Sequence, residues 1–157
     1  MKFSTREDIE APAEEVFAAL SDFEGFERAA LRRGAEVTRN DPTVPVARGA
    51  VWNLRFPLRG KMRRLLCEMT EYDAPRAMRF AGQSTGYTAQ LDMALLALSK
   101  SRTRIAVELE IRPRTLPARL LLQSVRLSKA SYARRFEARV QKFAIDLELK
   151  RLKPGLF

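Results

Sequence analysis

Few residues of this chain could do chemistry, and two of the usual types are nearly absent. The 157 residues contain no His and one Cys, and 29 Lys plus Arg against 19 Asp plus Glu give a net charge of 29 − 19 = +10. Without His there is no His-based triad, no histidine general base and no His-ligated zinc or haem. Without a second Cys there is no intrachain disulfide, and no glycine-rich phosphate loop occurs. The sequence therefore predicts neither a metal nor a cofactor.

Four carboxylates occur in segments where apolar and polar residues alternate, and all four fall on the polar side. We expect them to face solvent and to form cross-strand ion pairs rather than to act as acids or bases. They are Glu68, Asp92, Glu108 and Glu110. Cys67 falls on the apolar side, where a buried thiol is inert. Tyr87 and Tyr132 are left as candidate proton donors, and nothing in the sequence shows that either is activated. We therefore predict no catalytic residue and favour binding over catalysis.

The positive charge is concentrated in two places. Residues 112–157 hold 12 basic and 3 acidic side chains, whereas residues 1–28 hold 3 basic and 8 acidic ones. A second cluster of basic residues occupies the predicted hairpin at 59–64. Such a surface favours docking to a phosphate-bearing or acidic partner. The predicted docking residues are Arg59, Lys61, Arg63, Arg64, Arg119, Arg126, Lys129 and Arg134.

An anionic membrane fits this basic surface better than a nucleic acid does, and both are left open. Membrane contact needs only positive charge beside apolar residues such as Leu120, Leu121 and Leu122. Nucleic-acid binding would instead need exposed aromatic residues among the charges, and the aromatic residues of the basic segment fall on its apolar stripe.

The spacing of apolar residues indicates which elements must position these side chains. A first strand is predicted at 2–10 and is followed by two short helices, one that begins at Pro12 and one at 23–33. Segments of period two then predict antiparallel strands with one apolar face. These segments are 35–39, 50–58, 62–72, 78–82, 87–98 and 103–112. After Pro113 the spacing becomes three, four or seven, which predicts one helix of about 30 residues, from Pro117 to a stop at Pro154-Gly155.

This element order resembles the helix-grip fold of the START-like superfamily, also called SRPBCC or polyketide cyclase/dehydrase-like. Short segments support the resemblance along the whole chain: IEAPAEEVFAALSDFEGFERA at 9–29, GAVWNLRF at 49–56, EYDAPRAMRF at 71–80 and SKSRTRIAVELEI at 99–111. The resemblance implies a single α+β domain over 1–157. In that domain a curved antiparallel sheet of six to seven strands wraps around a long C-terminal helix, with two short helices after the first strand.

Members of this superfamily bind lipids, quinones, polyketides, hormones and aromatic compounds, and some are enzymes. The resemblance therefore implies a hydrophobic small molecule held in a cavity between the sheet and the C-terminal helix. Core packing is the alternative role for each wall residue. The predicted wall residues are Trp52, Phe56, Met69, Phe80, Tyr87, Leu91, Met93, Val107, Leu109, Tyr132, Phe136 and Phe143.

Two other functions stay open at this point: a polyketide cyclase or aromatase-type enzyme, and a basic module that binds a ribosome or another anionic partner. The start of the chain lacks the apolar region of a secretory signal, and the longest aliphatic run, 93–98, is far too short to span a bilayer. We therefore expect a soluble cytoplasmic protein. Peripheral contact with the inner face of the membrane, and a monomeric or homodimeric state, are both open.

Overall fold

A computed structural model describes residues 1–152, which form one seven-stranded antiparallel sheet and four helices. In chain order the elements are β1 (Lys2–Ile9), α1 (Ala13–Leu20), α2 (Phe23–Arg32), β2 (Glu36–Arg39), β3 (Val51–Leu58), β4 (Lys61–Asp73), β5 (Ala77–Ser84), β6 (Tyr87–Ser99), β7 (Arg102–Pro113), α3 (Leu116–Arg126) and α4 (Lys129–Leu152). Every predicted strand and both predicted short helices are confirmed.

The order of strands across the sheet is β1-β7-β6-β5-β4-β3-β2, so each strand after β2 pairs with its neighbour in sequence and β1 closes onto β7. Residues opposite each other in antiparallel strands share a face. One row on the apolar, concave face contains Trp52, Cys67, Gly82, Ala89 and Ile111. The predicted alternation therefore gives one apolar surface across β3 to β7.

A β-bulge interrupts this alternation in β4. The pairing with β5 shifts between Met69 and Glu71, so that Met69 lies opposite Phe80 and Tyr72 lies opposite Met78. The extra residue moves the following side chains to the other face. Tyr72 thus joins the concave face, where its ring packs edge-on against Phe17 of α1 at 5.2 Å between centroids.

Helices α1 and α2 cover one end of the sheet, and the best-packed part of the core lies beneath them. Pro12 precedes α1 as its N-cap, and Asp22 caps α2 by accepting a hydrogen bond from the Gly25 N–H. The hydroxyl of Thr103 is fully buried and donates to the carbonyl of Ala11 at 2.8 Å. The largest fully buried side chains are Ile9, Val16, Met69, Met78, Thr103 and Ile105.

The prediction of one continuous helix after Pro117 is wrong, because the chain breaks it between α3 and α4. Thr115 caps α3 by accepting from the Ala118 N–H, α3 ends at Arg126, and α4 begins at Lys129. Ser128 lies at the break, and its carbonyl accepts from the N–H groups of the first turn of α4. The predicted stop at Pro154-Gly155 lies outside the described residues.

Helices α3 and α4, which together replace the predicted single helix, contact different parts of the sheet. Helix α4 runs along β1, with Phe136 beside Phe3 at 6.0 Å between ring centroids and Glu148 accepting from the Glu10 N–H at 3.0 Å. Helix α3 instead spans two hairpin turns of the sheet. Its first turn contacts the β5–β6 turn, and its last turns contact the β3–β4 turn.

Both turns have backbone shapes that allow this approach. Gly86 has φ +86°, and a Cβ there would lie 3.0 Å from the Thr115 hydroxyl and 3.2 Å from the Ala118 methyl, so a larger residue would be both strained and crowded beneath α3. At the other turn, Arg59 and Gly60 both have positive φ, as a two-residue type I′ hairpin requires. Arg59 Nη1 donates to the Ser124 hydroxyl of α3 at 3.0 Å.

Candidate ligand-binding site

Burial of the concave face decreases from the α1–α2 end of the sheet to the α3 end. Along β3, Trp52 is buried, Leu54 and Phe56 are half-buried, and Leu58 is exposed. The other strands show the same trend: inward residues of β7 are buried from Thr103 to Val107 and half-buried at Leu109 and Ile111. The interior is therefore filled beneath α1 and α2 and is less completely covered beneath α3.

The twelve predicted wall residues fall into three groups along this gradient. Three are part of the buried core: Trp52, Met69 and Val107. Five are partly buried and pack against that core: Phe80, Leu91, Met93, Phe136 and Phe143. The remaining four are half-buried and lie outside the core cluster: Phe56, Tyr87, Leu109 and Tyr132. The last group is the part of the predicted wall that is not packed against the core cluster.

Three further side chains share the concave face near α3 and were not among the predicted wall residues. Leu65 of β4 lies opposite Leu54 of β3, and Ala89 of β6 lies opposite Ile111 of β7. All three are half-buried. Their strand alternation already placed them on the apolar face, so the sequence contained the signal for them.

The polar tips of the wall aromatics have different partners. Trp52 Nε1 donates to Glu27 Oε1 of α2 at 3.0 Å, so a ligand is not needed to satisfy the indole. The Tyr87 hydroxyl lies 3.5 Å from the Ala118 carbonyl of α3, a long contact. The Tyr132 ring has the Arg135 guanidinium 5.7 Å from its centroid. Neither tyrosine hydroxyl donates to a charged side chain within residues 1–152.

Cys67 lies on the concave face in the same row as Trp52, as the alternation predicted. Burial disfavours the charged thiolate and raises the pKa of Cys67 to about 11. Because the thiolate is the nucleophilic form, the side chain is inert near neutral pH.

Most of the four carboxylates of the polar strand faces have basic partners on the convex side. Asp92 pairs with Arg79, Glu108 with Lys2, and Glu110 with both Lys2 and Arg112. The hydrogen bond from Arg112 lowers the pKa of Glu110. No three Asp, Glu or Cys side chains converge as a metal site in the described part of the chain.

Among the recesses on the surface of residues 1–152, two contain no predicted wall residue in their lining. A groove of about 420 Å³ lies between α3 and the ends of β1 and β7, where Arg112, Arg119, Leu122 and Arg126 contribute to its walls. A second recess of about 320 Å³ lies between α2, β2 and β4, and its lining includes Ser21, Phe23, Arg39 and Tyr72. Two predicted docking residues, Arg119 and Arg126, therefore share one groove.

The curved sheet, its two covering helices after β1 and the C-terminal helix define a helix-grip domain of the START-like, or SRPBCC, class. The family whose description is polyketide cyclase/dehydrase and lipid transport matches residues 1–148. The chain belongs to this family, and the resemblance drawn from the sequence is confirmed.

Solved structures agree on the fold. A protein from Thermus thermophilus is 18% identical, with a TM-score of 0.68 over 94% of this chain and 97% of the other. The Zhui aromatase/cyclase from Streptomyces is 13% identical, with a TM-score of 0.67 over 99% and 98%. A START superfamily protein from Mycobacterium smegmatis is 15% identical, with a TM-score of 0.56 over 90% and 97%. At these identities the likeness concerns the fold alone.

No functionally curated protein matches the sequence. Within residues 1–152, none of the helices combines the length and the apolar character needed to cross a bilayer.

Proposed function

We propose that this chain binds an apolar small molecule of lipid, quinone or polyketide type between the concave face of the sheet and helices α3 and α4. The gradient of burial along that face carries the proposal. Protein interiors are normally close-packed, yet inward-facing Phe56, Leu109 and Ile111 are only half-buried. Space next to such side chains is suited to an apolar guest, and the family is described by lipid transport as well as by polyketide chemistry.

The wall also limits the character of the guest. The half-buried inward residues of β3, β6 and β7 near α3 are hydrocarbon or aromatic, so the body of the ligand is apolar. Arg63 lies opposite Phe56 at the hairpin end of β4 and is half-buried. A polar or acidic end of the ligand would face this guanidinium. The ligand would then enter and leave at this end of the sheet.

Native mass spectrometry of freshly purified protein tests the proposal. We expect an additional mass of lipid-like size that is released by organic extraction. The variant Ala89→Phe, which fills the wall beside Ile111, should lose that mass. The matched variant Ala94→Phe, on an exposed position of the same strand, should keep it. Protein that carries no ligand, and binds none of a panel of lipids, quinones and aromatic polyketides, would refute the proposal.

A cyclisation reaction is the second candidate, and Tyr87 is the observation that favours it. Tyr87 is half-buried, and among residues 1–152 its hydroxyl makes one long contact, to the Ala118 carbonyl, which a bound carbonyl group could replace. Incubation with a poly-β-ketone analogue should then yield a cyclised product at a rate at least about tenfold lower for Tyr87→Phe. Identical products with and without protein would eliminate this candidate.

A further inference from the structure

We infer that α3 docks on anionic phospholipid bilayers, with its outer leucines in the acyl boundary and flanking arginines on the lipid phosphates. The inference begins with the two faces of α3. Ala118 is buried, and the half-buried Leu121, Leu122 and Val125 complete the face turned to the sheet. The opposite face carries Leu116 and Leu120, which are 69% and 58% exposed, and Leu127 follows the helix at 90%.

These three exposed leucines form one line. Their spacings of four and seven residues place them on one side of a helix. An isolated exposed leucine is ordinary for a protein surface. Three exposed leucines in one line, on a helix whose other face already packs against the sheet, form an apolar patch that contributes nothing to the core. Such a patch indicates an interaction surface.

The charged residues of the two segments that contain α3 and the β3–β4 turn are all basic, and Glu110, which directly precedes the α3 segment, pairs with Arg112. From 111 to 136 the sequence has seven basic residues and no Asp or Glu, and from 51 to 67 it has five basic residues and no Asp or Glu. The hydrogen bond between Arg59 of the β3–β4 turn and Ser124 of α3 brings the two stretches together in the structure. The basic β3–β4 turn and the basic segment around α3, which are distant in sequence, are therefore adjacent in the structure.

The predicted docking residues differ from the basic residues of the sheet in their partners. Within the two stretches, Arg55 pairs with Glu36 and Arg112 pairs with Glu110. Arg76, Arg79, Arg102 and Arg104 all form ion pairs on the sheet surface. Among residues 1–152, none of the eight predicted docking residues has a carboxylate within ion-pair distance. These basic side chains, which have no ion-pair partner among residues 1–152, are grouped around α3 and the β3–β4 turn, where they attract an anionic partner.

The arginines flank the leucine line on both sides. Arg119 and Arg126, seven residues apart, line the 420 Å³ groove on one side, and Ser124 with its partner Arg59 lies on the other. Arginine binds phosphate oxygens through two parallel N–H donors. A helix lying in the bilayer surface with apolar residues below and arginines at the headgroup level is the arrangement that anionic lipid favours.

Two other occupants fit this surface less well. Binding to single-stranded RNA uses aromatic side chains as stacking platforms, and α3 contains no aromatic residue. A second copy of the chain would bring two strongly positive surfaces together, and like charges oppose that contact. An anionic bilayer satisfies the leucines and the arginines at once.

Flotation with phosphatidylcholine vesicles, with and without phosphatidylglycerol, tests the inference. We expect binding to the anionic vesicles only. The change Leu120→Ser should weaken it about tenfold, because one leucine leaves the acyl boundary. The matched control Leu96→Ser, at a position on β6 that is also 58% exposed, should leave binding unchanged.

A second pair of matched variants tests the contribution of the arginines. The double change Arg119→Gln/Arg126→Gln should weaken binding about 30-fold. The double change Arg28→Gln/Arg32→Gln on α2 removes the same charge and should weaken binding less than about threefold. Thermal unfolding of each variant shows whether it remains folded.

Three results would overturn the inference. The first is no binding to either vesicle, or equal losses in the matched variants. The second is retention on single-stranded RNA at physiological salt that survives Leu120→Ser, since charge alone would then explain the surface. The third is a dimer that Leu120→Ser dissociates, which would assign the leucines to a second copy.

This inference goes beyond the proposed ligand and is tested independently of it. Protein that floats with anionic vesicles but carries no apolar ligand would support docking and refute the ligand proposal. Protein that carries a ligand but ignores vesicles would do the reverse.

Discussion

Trp52 of β3 and Glu27 of α2 are joined by a hydrogen bond of 3.0 Å from the indole Nε1 to the carboxylate Oε1. The same oxygen accepts from Nε and Nη2 of Arg39 on β2 at 3.1 and 2.9 Å. The Arg39 side chain is only 11% exposed and that of Glu27 24%. Glu27 therefore neutralises a nearly buried cation and satisfies a buried indole, and it ties α2 to the edge of the sheet.

Replacement of Glu27 by Ala should destabilise the domain by about 3 kcal/mol, because it leaves Arg39 without its counter-charge and Trp52 without an acceptor. Guanidinium unfolding followed by fluorescence of Trp52, the only tryptophan, measures this. Glu24→Ala, at an exposed position of the same helix, should change stability by less than about 0.5 kcal/mol. Similar losses for the two variants would show that the hydrogen bonds to Glu27 contribute little.

Filling substitutions should distinguish the open end of the concave face from the packed end. Ala89→Phe adds a ring next to half-buried residues and should change the free energy of unfolding by less than about 1 kcal/mol. Ala144→Phe adds the same ring at a buried position of α4 and should destabilise by about 1–3 kcal/mol or more, since a close-packed core must shift to accept it. Equal destabilisation by both would mean that the wall beneath α3 is already full.

Stability should be flat from pH 8 to pH 5 and should fall below about pH 4. No His is present to titrate in the upper range. The hydrogen bond from Arg104 lowers the pKa of Asp8 below its ordinary 3.8. Because the folded pKa is below the unfolded one, this stabilisation is present above about pH 4 and is lost as the pH falls through the lowered pKa.

Melting temperatures measured between about pH 7 and pH 2.5 should therefore decline less steeply for Arg104→Gln than for the parent chain. Arg28→Gln, which removes an equal charge from an exposed position of α2, is the control and should keep the original slope. A slope unchanged in Arg104→Gln would show that Arg104 does not lower the pKa of Asp8 in the folded chain.

Cys67 should react slowly with thiol reagents in the folded state. A pKa of about 11 leaves about a hundredfold less thiolate at pH 8 than an ordinary cysteine has. Because the raised pKa belongs to the folded state, its stabilising effect is complete below about pH 9 and is lost as the pH rises through about 11. Kinetics with a chromogenic disulfide in native buffer and in denaturant provide the comparison. Equal reaction rates in native buffer and in denaturant would show that the Cys67 thiol is exposed to solvent in the folded state.

The sequence could predict nearly all of the fold because most of its elements have a clear period. In strand β7 the large apolar residues Ile105, Val107 and Leu109 recur at every second position between Arg104, Ala106, Glu108 and Glu110, and that pattern indicates which face is buried. The break at Ser128 could not be predicted in this way. Val125 and Tyr132 are seven residues apart and keep the helical phase across the break, and neither Pro nor Gly marks it.

The site was only partly predictable for a similar reason. Alternation correctly placed the wall residues of the strands on one face, but it could not show which of them meet the core. Tyr72 reaches that face through a bulge that alternation does not reveal, and Glu27 has no sequence feature that links it to Trp52. Both depend on contacts between residues distant in sequence.

Because the chain breaks at Ser128, α3 and α4 are separate helices, and we expect them to differ in local stability. Helix α4 packs along β1, whereas the ends of α3 are held mainly by the Arg59–Ser124 hydrogen bond and the contact at Gly86. Its amides should therefore exchange with deuterium through local opening, at a free energy well below that of global unfolding, while those of α4 exchange last. Local opening of α3 would then uncover the half-buried side chains beneath it while the sheet stays intact.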